Sequence, residues 1–62
     1  MPVNKAELSS ITELLDQLTK RVTGLAEASI AERNENAASE LFGIERSLAS
    51  ARRRLERLVS RT

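Results

Sequence analysis

The chain is 62 residues long, 40% hydrophobic and 31% charged, with a formal net charge of +1. That length admits one small domain and no separate substrate domain; below about 70–80 residues a lone core seldom holds without staples or assembly. The absence of cysteine and histidine removes disulfides, thiolate nucleophiles, imidazole bases and the common zinc and iron ligands, and the sole aromatic, Phe42, makes no stacking platform for single-stranded nucleic acid.

The opening residues Met1-Pro2-Val3-Asn4-Lys5 lack the apolar stretch of a secretory leader. No apolar run approaches the roughly 20 residues that span a bilayer. The expected location is therefore the cytoplasm. Eight Arg against two Lys, with eight Ala, fits a GC-rich bacterial genome.

Asn4 and Glu7 have the spacing of a capping box, and Val3 and Leu8 that of a hydrophobic staple. Leu8, Ile11, Leu15, Leu18, Val22 and Leu25 then recur at alternating spacings of 3 and 4, the a/d stripe of a helix that associates with another. This predicts a first helix over about residues 5–31. The polar stretch Glu32-Arg33-Asn34-Glu35-Asn36 follows; asparagine tolerates a left-handed C-cap and also serves as an N-cap, so a turn is expected over about residues 32–36.

A second stripe, Ala37, Leu41, Ile44, Leu48, Ala51, Leu55 and Leu58, predicts a second helix over about residues 37–61. The two stripes are out of phase. Leu25 and Leu41 are 16 positions apart, where an unbroken repeat needs 4, 11 or 18. At about 100° per residue the second stripe is turned by roughly 120° from the first. Across the proposed turn, Leu8 matches Leu58, Ile11 Leu55, Leu15 Ala51, Leu18 Leu48, Val22 Ile44 and Leu25 Leu41, the numbers in every pair adding to one total. The fold class expected is all-α: an antiparallel two-helix hairpin, coiled-coil-like, with these pairs as its seam. Two straight helices from separate chains, centred on Arg33, give the same pairs but ignore the phase slip. A break at Gly24, with Ser29 and Glu32 opening a longer second helix, gives unequal arms.

A hairpin leaves apolar surface outside such a seam. Phe42 and Ala49 fall at b positions, Ala38 and Val59 at e positions, and Ala26 and Ile30 lie on the matching flank of the first helix. Leu14 is left exposed on the opposite flank. Burying the Phe42 flank against a second copy makes a homodimeric four-helix bundle, which is the expected assembly. The alternatives are that Phe42 folds over the turn of its own hairpin, or that this flank docks a different protein.

Charge is segregated along the chain. Residues 27–45 carry a net −4 and residues 46–62 a net +5, so the hairpin is acidic at its turn and basic at its open end. Arg52, Arg53, Arg54, Arg57 and Arg61 are candidates for phosphate contact, on nucleic acid or the ribosome. Equally, cations suit a helix C-terminus, and Glu56 can pair locally with Arg52 or Arg53. No helix-turn-helix spacing, glycine-rich phosphate loop or stacking aromatic supports the nucleic-acid reading. A membrane surface ranks third, because the a/d stripe is narrow.

The carboxylates and hydroxyls show no nucleophile–base pattern, and Glu32 with Glu35 makes at most a weak metal site. No catalytic, metal or cofactor-binding residue is assigned. The function expected is that of a non-enzymatic adaptor or regulator that works by protein–protein association.

Overall fold

The computed structural model describes residues 3–62; Met1 and Pro2, part of the stretch read above for a leader, lie outside the described residues. The described chain forms two helices, α1 (Lys5–Ala31) and α2 (Glu35–Arg61), packed side by side as a hairpin. The result is a rod measuring 47 × 14 × 14 Å along its principal axes.

The start of α1 follows its sequence signal. The Asn4 side-chain oxygen accepts a hydrogen bond from the Glu7 backbone N–H at 3.0 Å, satisfying one of the donors a helix start leaves free. Val3 and Leu8 line one shallow depression beside it, as a hydrophobic staple requires.

The turn is tighter than the run of polar residues implies. The Arg33 N–H donates to the Ile30 carbonyl at 2.9 Å, and the Asn34 N–H to the Ser29 carbonyl at 2.8 Å. These two bonds define a Schellman closure, which places one residue in the left-handed region. That residue is Arg33, with φ 61°, rather than either asparagine. Asn34 does the other job: its side chain accepts from the Ala37 N–H at 3.2 Å and caps α2. Helix α2 consequently begins at Glu35, ahead of Ala37, where the apolar repeat starts.

The seam is not the one the a/d stripes suggest. With Leu8 and Leu41 taken as a positions, each helix turns its a, b and e rows toward the other. Ala26 and Ala38, both at e, are the buried hydrophobic residues among those described, at 0% and 5% exposure. Thr12, Thr19, Thr23, Phe42, Ala49 and Val59 are half-buried around them, while Ile11, Leu18, Leu25, Ile44 and Leu58 of the d row are exposed. The a-row leucines sit at the seam's margin, half-covered. Relative to the a/d reading, the contact face of each helix is rotated by about 75° at 100° per residue.

Small side chains account for the rotation. Alanine and threonine at e and b let the two backbones approach closely, and the threonines carry their own polar compensation. The Thr12 and Thr19 hydroxyls donate to the Leu8 and Leu15 carbonyls at 2.8 and 2.7 Å, so neither brings an unpaired donor into the seam. Polar contacts also cross the seam in this register. Thr23 hydrogen-bonds the Glu45 carboxylate, and Arg52 lies 3.4 Å from the Asp16 carboxylate.

Candidate association surface

An antiparallel pair that uses equivalent rows at its seam projects all rows displaced the same way from one flank. The d rows of α1 and α2, with the g row at their outer edges, therefore share one long side of the rod. Ile11, Leu14, Leu18, Leu25, Ile44 and Leu58 all belong to it, and they are 36–60% exposed, Leu25 the most open. Half-covered Leu15, Val22, Leu41, Leu48 and Leu55 form its floor. At the open end Arg54 and Arg61 share a surface hollow with Ala51, Leu55 and Leu58, so cations rim the apolar strip there.

The residues expected to form an association flank are distributed differently. Ala26 and Ala38 are enclosed in the hairpin itself, with Phe42, Ala49 and Val59 half-buried in its contact face. They are not a free surface, because the close approach over small residues covers them. Ile30 is 56% exposed, beside the turn on the flank away from the leucine strip. Leu14, also 56% exposed, lies on the leucine strip, where the g row edges it. The d row is surface although its spacing is that of a helix–helix seam. The contrary signal was present in the alternation of alanine and threonine at Thr12, Thr19, Thr23 and Ala26, small residues suited to close helix contact.

Arg52 stands apart from the other arginines of α2. Arg52 reaches toward Asp16 at 3.4 Å and Glu56 at 3.6 Å, and Asp16 in turn meets Lys20 at 3.3 Å. The Arg52 Nε is covered and has no hydrogen-bond partner, so this side chain is committed to the hairpin. Arg53, Arg57 and Arg61 line a second open hollow with Glu56 and Ser60. Glu32 and Glu35 stand exposed at the turn, and among the described residues no three acidic side chains gather as a metal site would need. No described helix is long and apolar enough to cross a membrane.

The geometry defines a helical hairpin with one apolar side. Among known proteins, no family, no curated relative and no solved structure matches the chain.

Proposed function

We propose that this protein is a non-enzymatic association module, adaptor or regulatory, whose leucine strip is closed by a second copy of the chain in a four-helix bundle. The observation that carries this reading is the exposure of the d rows on one side of the rod while, among the described residues, only two alanines are buried. A folded monomer of this size exposes about 4000 Å², whereas the chain exposes 4885 Å². The excess, roughly 900 Å², is close to the approximately 800 Å² that each partner covers in a standard-size interface. Exposed apolar side chains cost free energy in water, and apposing two like strips removes them from it on both copies at once.

Sedimentation equilibrium and far-ultraviolet circular dichroism across a dilution series test the proposal. Two chains per particle are expected, with helix content falling as the particle dissociates. A particle of one chain that keeps full helicity at several hundred micromolar overturns it.

A further inference from the structure

The self-association reading leaves the polarity of the pair open, and the charge layout of the rod settles on one arrangement. The turn end, residues 24–42, carries Glu27, Glu32, Glu35 and Glu40 against Arg33, a net of −3. The open end, residues 3–16 and 50–62, carries Lys5, Arg52, Arg53, Arg54, Arg57 and Arg61 against Glu7, Glu13, Asp16 and Glu56, a net of +2. These two ends lie at opposite extremes of a rod 47 Å long.

Resting on the association reading above, we infer that the second copy lies antiparallel on the leucine strip, each acidic turn set over the basic open end of the other copy. The apolar side chains accommodate this arrangement with a two-fold axis near Leu18 and Ala51. Leu18 then meets Leu18 of the second copy, Ile11 meets Leu25, and Ile44 meets Leu58. They also accommodate the aligned arrangement, in which Ile11 meets Leu58 and Leu25 meets Ile44. Side-chain matching does not choose between them. Charge does.

In the aligned pair two net-negative turns lie side by side, and so do two net-positive ends. In the opposed pair each of these contacts becomes attractive. At the rim each arrangement offers one pair, Glu7 with Arg61 in the aligned pair and Glu40 with Arg61 in the opposed one, so the choice rests on the net charge of the ends. Glu40 and Arg61 both occupy the g row at the edge of the strip, and the opposed two-fold brings Glu40 of each copy to the level of Arg61 of the other. Exposed ion pairs contribute little affinity singly, but unlike ends against like ends is a difference summed over every charge at each end. Its effect is to select orientation, while the leucines supply the affinity.

The chain has no native cysteine, so Asn36→Cys at the turn and Ser60→Cys at the open end, both exposed positions, each accept a single spin label. Pulsed dipolar spectroscopy on Asn36→Cys alone is expected to give a separation near the 47 Å length of the rod. An equimolar mixture of the two labelled variants is expected to show a short separation as well, within the roughly 25 Å spanned by two helix diameters. A short separation in the Asn36→Cys sample alone overturns the antiparallel arrangement and leaves self-association standing. A sample with no intermolecular coupling overturns both. The unlabelled chain supplies a second measurement. Its dissociation constant is expected to rise several-fold as salt is raised from about 50 to 500 mM, because screening removes attraction between the ends. A constant that falls or stays level overturns the arrangement.

Discussion

Asp16 on α1 and Arg52 on α2 meet across the seam at 3.4 Å, just to the open-end side of the middle of the arms. Their contact and the Thr23–Glu45 hydrogen bond tie a polar row of each helix to the other. A polar row held inward turns the d-row leucines outward. The two cross-links thus bear on which side of each helix faces its neighbour, besides adding to stability. Both partners of the ion pair are about one-third exposed, at 36% for Asp16 and 32% for Arg52, so solvent screens it. A double-mutant cycle with Asp16→Asn and Arg52→Gln, read by urea denaturation, is expected to give a coupling of no more than about 1 kcal/mol that shrinks in high salt. A coupling independent of salt contradicts this account.

Phe42 and Leu25 separate the two contact faces of the helices. Phe42 belongs to the hairpin seam and is half-buried, whereas Leu25 is 60% exposed on the leucine strip. Phe42→Ala is expected to destabilise the fold by about 2 kcal/mol, less than the 3–5 typical of a fully buried ring. Its melting temperature should still rise with protein concentration, since the association strip is intact. Leu25→Asn is expected to flatten that concentration dependence. If Phe42→Ala instead abolishes the concentration dependence, the phenylalanine lies at the intermolecular contact.

The hairpin itself was legible because several local signals coincide: the Asn4 cap, two apolar repeats and a polar interruption with a phase slip. The rotation of the seam was not. Leu18 and Leu48 have the right spacing for a seam, and periodicity reports that a row is apolar without saying whether its cover comes from the same chain or another. What decides between rows is backbone separation, which depends on the sizes of Ala26, Ala38 and Ala49 together. The polar links from Asp16 and Thr23 to α2 were illegible for a related reason, since they appear only once the register is known. The pairing of Arg52 was illegible on the same ground: its partner Asp16 lies 36 positions away in the chain.

Ala26 offers a direct test of the close approach. It is fully enclosed at 0% exposure, so added volume must push the helices apart or force a side chain off its preferred rotamer. Ala26→Leu is expected to cost about 1–3 kcal/mol despite raising hydrophobicity. Under the a/d reading this position is free surface, and the same substitution would be neutral or stabilising. Urea denaturation of the variant beside the parent chain distinguishes the two.

Gly24 lies inside α1, which runs through it unbroken, and has no packing reason to be glycine. A methyl group built there meets nothing within 4 Å, and its φ is not positive. Glycine mid-helix costs about 0.8–1.0 kcal/mol relative to alanine, chiefly through the freedom it retains when unfolded. Gly24→Ala is expected to stabilise the protein by about that amount, seen as a raised denaturation midpoint with an unchanged slope. A loss of stability would mean that the backbone at this level of α1 needs more room than the hairpin seam accounts for.

The turn carries the opposite substitution opportunity. Arg33 holds φ 61° at the position where a Schellman closure ordinarily places glycine. A side chain in the left-handed region costs roughly 1–2 kcal/mol, because its Cβ crowds the following carbonyl. Glycine removes that crowding but gives up more freedom on folding, so the net gain is smaller. Arg33→Gly is expected to stabilise the chain by about 0.5–1 kcal/mol. It also removes the one cation among the turn's four glutamates, Glu27, Glu32, Glu35 and Glu40, taking that end from −3 to −4. In the antiparallel assembly this strengthens the attraction to a basic open end, so association should tighten modestly at low salt while the fold becomes more stable. Measuring denaturation and dissociation on the same variant checks both signs, and a weaker association at low salt would count against opposed ends.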